Sequence, residues 1–285
     1  MNLIVGSLVV LGCVLGGFAS HGGKILALWQ PFELIIIGGA ALGAFIIANG
    51  MGTVMKVFKM VMGSLGGSKY GKKNYMALFA LMYDLFNIAR KDGVMGLEKE
   101  IDDPEKSAVF GKHVILQKDH HVIEFITDYL RMMVSGDMNP HQLENLMDIE
   151  LGTHHHEAEE ISGAINRVSD ALPGFGIVAA VLGIVNTMAA LGGPVSEIGS
   201  KVAAALVGTF LGILLAYGFV GPIANSLEKI AKDEAQFYIA VKTCIIAMVQ
   251  GYPPAIAVEF GRKTTPSSLR PSFKELEEHL RGKRA

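Results

Sequence analysis

Three consecutive histidines, His154, His155 and His156, followed by Glu157, Glu159 and Glu160, have the residue types of a metal site. Neighbouring residues on an α-helix point about 100° apart, so three in a row cannot all bind one ion from one helix. A solvated helix face is the favoured interpretation and a metal site the alternative. The chain has no nucleophile elbow, phosphate-binding loop or zinc motif. We therefore expect no enzymatic activity, no metal and no cofactor.

A second group of chemically active residues is a mixed-charge patch between residues 90 and 103. It consists of Arg90, Lys91, Asp92, Glu98, Lys99, Glu100, Asp102 and Asp103. A solvated loop is the favoured interpretation of the pattern alone, because surface charge is common and only weakly stabilising. The functional alternative is a docking surface for a partner with the opposite charge pattern, where such charges set orientation more than affinity.

The longest uncharged part of the chain is the stretch from Asp170 to Leu227. It has no Asp, Glu, Lys or Arg between Asp170 and Glu197, and none between Lys201 and Glu228. Each gap is long enough for a helix to cross a bilayer core, which takes roughly 20 apolar residues. The short connection contains Gly192, Gly193 and Pro194. The sequence therefore predicts a hairpin of two membrane-spanning helices.

The hairpin contains few polar groups, chiefly Asn186, Thr187 and Thr209. A membrane residue that carries ions is usually ionisable, since placing a charge there costs on the order of 3 kcal/mol or more and needs a functional reason. Neither span contains a carboxylate, Lys or Arg. If ions cross at this hairpin, we expect the carboxylate to come from a different polypeptide.

Small residues recur on one face of the second hairpin helix, at Ala204, Gly208, Gly212 and Ala216. A stripe of this kind lets another helix approach closely, because helix association in lipid depends on packing. On composition alone, ordinary packing within the hairpin is favoured. The alternative is a close seat for a helix of another chain.

Two further spans are predicted near the start of the chain, within Met1 to Phe18 and Leu34 to Met55. The composition agrees, with 51% hydrophobic and 18% charged residues. A cleaved signal peptide is not expected, because no Lys or Arg precedes the first apolar run. The net charge of -2 and the lack of any nucleic-acid motif argue against a nucleic-acid partner.

Basic residues are concentrated in residues 56–170 and in the tail, which includes Arg284, whereas the two short turns hold only Lys24 and Lys201. The positive-inside rule places the large segment and both termini in the cytoplasm. The predicted fold is an all-α polytopic membrane protein with four transmembrane helices and a helical cytoplasmic domain. Its predicted segments are spans one and two (1–55), the cytoplasmic domain (56–170), the hairpin of spans three and four (171–222) and the cytoplasmic tail (223–285).

Local signals mark the ends of the cytoplasmic helices. One helix is expected to stop near Asp92–Gly93 and another at Ser135–Gly136. Asn139 followed by Pro140 predicts a helix start, and this helix is expected to continue into the third span at Pro173. Ser272 with Glu275 predicts a capping box.

Several long motifs resemble the MotA-type stator subunits of the MotA/TolQ/ExbB proton-channel family. They are LPGFGIVAAVLGIV (172–185), VGTFLGILLAYGF (207–219), RKDGVMGLEKEID, SGDMNP, AVEFGRKT and RPSFKELEEH. Their order along a four-span chain makes the resemblance specific, and it covers nearly the whole sequence.

The resemblance implies a bacterial inner-membrane complex for motility and chemotaxis. Five copies would surround two copies of a MotB-like partner, which supplies the ion-carrying aspartate and the peptidoglycan anchor. Arg90 and Glu98 would contact the rotor protein FliG. Pro173 and Pro222 would be coupling hinges. Thr209 would line the ion path, with Ala180 beside it. Thr187, like Asn186, departs from the family pattern by adding polarity to the third span, and we also predict that it lines the path.

The conducted ion implied by the resemblance is H⁺, because sodium-type relatives carry threonine where Ala180 stands.

Three alternatives to a stator subunit stay open at this point. An ExbB- or TolQ-like subunit that energises envelope transport would typically have three spans, with a single span at the front. A self-contained channel or transporter would be expected to hold its own intramembrane ionisable group. A passive membrane scaffold would not need Thr209 within a small-residue stripe.

Overall fold

A computed structural model describes residues 2–64, 66–136, 138–188 and 191–282, and Arg284 of the basic tail lies outside them. The described residues form α-helices with short 3₁₀ and π turns and no strand. The chain divides into two compact units. The span unit comprises Met1–Gly67 and Glu157–Ile230, and the polar unit comprises Ser68–His156 and Ala231–Ala285.

The helices are α1 (Asn2–Ser20), α2 (Pro31–Ser64), α3 (Lys72–Asp92), α4 (Glu98–Asp102), α5 (Ala108–Gly111), α6 (Val114–Gln117), α7 (His120–Ser135), α8 (Pro140–Met188), α9 (Val195–Leu215), α10 (Gly221–Val249), α11 (Pro254–Thr264) and α12 (Phe273–Gly282). The long apolar helices come in two consecutive pairs, α1 with α2 and α8 with α9, and the helices of the polar unit lie between and after them. A 3₁₀ turn at Ile25–Leu28 precedes α2, and a π turn at Ala216–Val220 joins α9 to α10.

Four helical stretches are long and apolar enough to cross a membrane: Leu3–Ser20, Ile25–Ser64, Pro140–Met188 and Val195–Val249. In the most apolar 18-residue segment of each stretch, between 0% and 28% of the segment is buried within the chain. Exposed apolar surface of this extent needs lipid or a protein neighbour to cover it. The predicted all-α fold with four spans is confirmed.

The second apolar helix, α2, is longer than its uncharged part and is broken at Gly50. It continues beyond Met55 to Ser64, and Gly50 has φ 74° and ψ 163°, a conformation that glycine adopts without steric cost. Thr53 Oγ1 donates a hydrogen bond to the Asn49 carbonyl oxygen at 2.9 Å, beside the break. The second segment is held by packing of Val57, Met60 and Val61 against a small cluster formed by Ile165, Ala224 and Leu227.

The boundaries between the two compact units differ from the predicted segment boundaries. The units divide at residues 67/68, 156/157 and 230/231, whereas the uncharged stretches end near residues 55, 170 and 222. The difference arises because α2, α8 and α10 each continue as helix past the uncharged stretch. The predicted segment boundaries describe where the chain enters and leaves the membrane, which contacts within the chain do not test, so they stay predictions.

The polar unit is built around α3, which is buried on nearly all sides. Its buried residues are Tyr75, Leu78, Phe79, Ala80, Leu81, Met82, Leu85, Phe86 and Ala89. Helices α7, α10 and α11 all contribute residues to the core that surrounds α3. Helix α3 is therefore the central element of this unit.

The predicted helix ends in the polar unit are confirmed. Gly93, with φ 77°, ends α3, and Gly136, with φ 71°, ends α7. The Asn139 side chain accepts a hydrogen bond from the Gln142 amide at 2.9 Å, and the Gln142 side chain accepts one from the Asn139 amide at 3.0 Å. Ser272 and Glu275 form the corresponding reciprocal pair.

The AVEFGRKT motif has a structural role in this unit. Buried Arg262 donates from Nε to Glu259 at 2.7 Å and from Nη1 to the Pro271 carbonyl oxygen at 2.9 Å, which ties α11 to the segment before α12. A Cβ at Gly261 would lie 2.2 Å from Cys244 Sγ and 2.9 Å from the Ala240 carbonyl oxygen. Helix α11 can therefore contact α10 at this distance only with glycine there.

Tyr75 is buried in the core, and its hydroxyl has no hydrogen-bond partner among the described residues. Burial, with the charge of Asp233, raises the pKa of Tyr75 from 10.0 to about 12. A raised pKa means that the folded state keeps a proton that the unfolded state releases above pH 10. The corresponding stability is present below pH 10 and is lost as the pH rises towards 12.

We predict that Tyr75→Phe leaves the free energy of unfolding at pH 7 within about 0.5 kcal/mol of the parent or raises it, because the hydroxyl is buried without a partner. Between pH 10 and pH 12 the parent should lose stability relative to the variant. Thermal unfolding of both purified proteins across this range checks the prediction. A loss of more than about 1 kcal/mol at pH 7 would show that the hydroxyl is satisfied.

Candidate functional site

The hairpin helices α8 and α9 cross with their backbones in contact. A Cβ at Gly176 would lie 3.0 Å from the Gly208 carbonyl oxygen, and one at Gly212 would lie 2.7 Å from the Leu172 carbonyl oxygen. These distances are shorter than Cβ atoms normally tolerate against backbone. The small residues of α9 are therefore used at Gly208 and Gly212 for packing within the hairpin. The alternative, a seat for another chain's helix, does not apply at these two positions.

The crossing places Ala180 beside Gly208, the residue before Thr209. A Cβ at Gly208 would lie 3.3 Å from the Ala180 backbone nitrogen, and Thr209 follows Gly208 directly. Both residues are half-buried. The two residues expected to influence the ion path thus lie at one level of the hairpin.

Thr187, the third residue predicted to line the ion path, is 1% exposed. Its Oγ1 donates to the Gly183 carbonyl oxygen within α8 at 2.8 Å. It lies seven residues after Ala180, on the same face of the helix. In this structure its hydroxyl satisfies the helix backbone, and its proposed role in the ion path stays a prediction.

The two predicted hinge prolines interrupt the backbone of the hairpin at different kinds of position. Pro173 is half-buried in the interior of α8, where it removes the donor that would bond to the carbonyl of Ser169 four residues earlier. Pro222 is exposed at the second position of α10, and only Gly221 separates it from the π turn Ala216–Val220. Turns of π type are rare and are frequent at functional sites.

Ser169 connects these two regions and is absent from the residues singled out by sequence. It is 4% exposed, and its Oγ donates to the Ala216 carbonyl oxygen at 2.9 Å. The signal that could have pointed to it is its position four residues before Pro173, in the last turn before the uncharged stretch. The position of its acceptor could not be read from the sequence.

In the charged patch of the polar unit, some charged side chains are paired within the chain and others are not. Arg90, in the last turn of α3, and Glu98, at the start of α4, are exposed and form no ion pair with another described residue. By contrast, Lys106 pairs with Asp103 at 2.6 Å and lowers the pKa of that carboxyl, and Glu100 bonds to Ser107. The completely buried side chain of Leu97 anchors the segment that positions Glu98. Arg90 and Glu98 are thus both exposed, and the segment that carries Glu98 is fixed by a buried neighbour.

The histidine run lies on α8 within the polar unit. The His154 ring lies over Tyr238, with ring centres 6.5 Å apart, and its Nε2 is 3.7 Å from Glu150. No group of three or more His, Cys, Asp or Glu side chains able to hold a metal ion occurs in the described part of the chain. His154 is exposed on its helix, as the favoured interpretation expects, but it also contacts an aromatic side chain.

Comparison with known proteins shows matches along the whole chain. The family model "Motility protein A N-terminal" matches residues 4–93, and the model of the MotA/TolQ/ExbB proton channel family matches residues 117–238. Motility protein A of Salmonella typhimurium is 46% identical over 284 residues, which is 100% of this chain and 96% of that protein. Chemotaxis protein LafT of Vibrio parahaemolyticus is 39% identical over 280 residues, 98% of each chain.

Two solved structures share the fold. The structure of C. jejuni MotAB aligns with a TM-score of 0.79 at 19% identity, covering 95% of this chain and 99% of that chain. The flagellar MotAB stator complex from Bacillus subtilis aligns with a TM-score of 0.74 at 20% identity, covering 90% and 92%.

The backbone contact at the crossing predicts that Gly212→Ala is destabilising. Its Cβ would meet backbone atoms of α8, and overpacking of this kind costs about 1–3 kcal/mol. Gly199→Ala is the matched control, since a Cβ there meets nothing within 4 Å and both substitutions lie on α9. Thermal unfolding of the purified proteins should show a lower midpoint only for Gly212→Ala. Equal midpoints would contradict the backbone contact.

Proposed function

The chain belongs to the motility protein A branch of the MotA/TolQ/ExbB proton channel family, and on this premise we propose how it works as the ion-conducting stator subunit of a bacterial flagellar motor. The 46% identity over the whole chain to motility protein A is the observation that carries this proposal. The aligned region includes the α8–α9 hairpin and the charged patch of the polar unit, and the proposed function uses both.

A MotB-like partner is proposed to supply the ion-carrying carboxylate. The hairpin has no Asp, Glu, Lys or Arg between Asp170 and Glu197 or between Lys201 and Glu228. A proton relay through a membrane needs such a group. Five copies of this chain around two partner helices would place a hairpin beside each carboxylate in turn, and the partner's periplasmic domain would hold the complex to peptidoglycan.

The proposed ion is H⁺, and Ala180 and Thr209 are proposed to form the wall of its path. Moving one charge inward across about 100 mV releases roughly 2.3 kcal/mol. Protonation removes the partner's membrane charge and favours a different helix packing. Pro173 and Pro222 would pass this change along α8 and α10, and the ring would step around its partner.

Arg90 and Glu98 are proposed to contact the rotor protein FliG. Their exposure and lack of ion-pair partners among the described residues support this role, as does the buried anchor at Leu97. The concentration of Lys and Arg in residues 56–170 and in the tail supports an orientation with both termini in the cytoplasm.

An ExbB- or TolQ-like role in envelope transport is not favoured. The match of residues 4–93 to the motility protein A N-terminal model covers the two spans at the front of the chain. ExbB- and TolQ-like subunits typically have a single span there.

The first test measures torque in cells that lack their own stator and co-express this chain with its MotB-like partner. We expect torque to follow the proton gradient and to be insensitive to sodium. Gradients of the two ions are varied separately, with Ala180→Thr as the variant directed at ion choice. Torque that follows sodium would overturn the ion assignment and leave the stator role. A stable complex without torque would contradict the stator role.

A second prediction concerns the rotor contact. The double charge reversal Arg90→Glu with Glu98→Lys should reduce swimming speed several-fold, because opposed charges at a docking surface disturb orientation and association. Membrane abundance should not change, since both side chains are exposed.

The control for this variant is Asp103→Lys with Lys106→Asp, which reverses an exposed pair of the same unit and keeps its ion pair. Normal swimming of the Arg90 and Glu98 double variant would contradict the docking role. Equal loss in the control would show that any rearrangement of charge in this region reduces swimming, and would contradict a specific role of Arg90 and Glu98.

A further inference from the structure

Ser169 lies where the backbone hydrogen bonding of two membrane helices is interrupted. In α8, Pro173 has no N–H to offer the Ser169 carbonyl oxygen. At the start of α10, Pro222 has no N–H for the carbonyls of the π turn before it. The Ser169 hydroxyl joins the two interruptions through its 2.9 Å hydrogen bond to Ala216.

Ala216 is the first residue of the π turn, and its carbonyl oxygen accepts two hydrogen bonds. One comes from the Gly221 amide, five residues on, which defines the wide turn. The other comes from Ser169 Oγ. A carbonyl oxygen has two lone pairs, so both bonds form together. In an α-helix the same oxygen would accept from the amide of Val220 instead.

Gly221 is needed where the turn meets Ser169. A Cβ at this position would lie 3.0 Å from Ser169 Oγ and 3.2 Å from the Ala216 carbonyl oxygen. Any larger residue would thus press on both atoms of the hydrogen bond. On its other side the turn packs against α1 at Gly218, where a Cβ would lie 3.2 Å from Val10 Cγ1. Beside this contact lies a cleft of about 280 Å³, lined by Tyr217, Phe219 and Pro222 among others.

We propose that Ser169 is a positioning residue, whose hydroxyl holds the Ala216–Val220 turn in its wide form and whose release lets the turn rewind as α-helix during the ion-driven cycle. The inference rests on the proposed stator function. Rewinding moves Ala216 O from the Gly221 amide to the Val220 amide, so that residues after the turn rotate relative to α9. The cleft beside the turn gives the moving backbone room.

The test compares Ser169→Ala with Ser162→Ala in the purified complex with the MotB-like partner. Both serines are buried on α8, but Ser162 Oγ donates to Glu159 O in its own helix. Amide hydrogen exchange is measured for the segment 216–222. We expect exchange at Gly221 to be about two- to tenfold faster in Ser169→Ala, as the loss of one hydrogen bond gives, and unchanged in Ser162→Ala. Equal exchange in both variants would overturn the proposal.

A second variant keeps the test decisive if Ser169→Ala assembles poorly. Gly221→Ala should accelerate exchange in the same segment, because the added methyl displaces the Ser169 hydroxyl. Combining it with Ser169→Ala should add little, since both remove the same hydrogen bond. Fully additive effects of the two substitutions would contradict a shared contact.

Torque measurements distinguish a positioning role of Ser169 in the motor cycle from a role only in stabilising the fold. Torque per engaged stator, with stators counted by fluorescence, should fall in Ser169→Ala while the number engaged stays the same. Unchanged torque per stator would overturn the positioning role even with faster exchange. If the parent complex gives no torque, the proposed function is contradicted, and the positioning role with it. The hydrogen-exchange measurement tests the Ser169–Ala216 hydrogen bond independently of torque.

Discussion

A helix in lipid must satisfy its backbone polar groups with protein atoms, because the hydrocarbon offers no water. The hairpin meets this demand by ordinary helical bonding except near its prolines. Pro173 and the π turn before Pro222 both leave the α-helical pattern, and a single buried serine bridges them. The glycines at the crossing allow the two backbones to approach closely enough for this bridge to form. The close crossing, the wide turn and the serine contact are therefore parts of one arrangement.

The polar unit solves a different problem, which is to hold exposed charges in fixed positions. Helix α3 runs through its core, and Arg90 extends from the last turn of that helix. Glu98 follows Leu97, whose side chain is completely buried. The clamp of Arg262 on Glu259 and Pro271 fixes the C-terminal helices around the same core. Charges mounted on such a core can transmit force without the surface yielding first.

Local features of the fold could be predicted from sequence, because each depends on residues close together in the chain. Gly93 and Gly136 end their helices through a backbone conformation that favours glycine, and Asn139 with Gln142 forms a cap within one turn. The two membrane spans of the hairpin could also be predicted, because each is a long stretch without charged residues. The break at Gly50 and the burial of α3 on nearly all sides could not, since both depend on contacts with distant residues. At the site, Ala180 and Thr209 were identified by family resemblance, whereas the partner of Ser169 lies 47 residues away and gives no local signal.

Two glycines of α2 have free space around them within the chain, and this affects how substitutions at them should be interpreted. Gly39 and Gly43 are four residues apart on that helix, and a Cβ at either position would meet nothing within 4 Å in the described chain. Gly208 and Gly212 are the opposite case, with α8 backbone in the way. Intolerance of a larger residue at Gly39 or Gly43 therefore measures the neighbouring subunits or lipid. Intolerance at Gly208 or Gly212 measures the fold of the single chain.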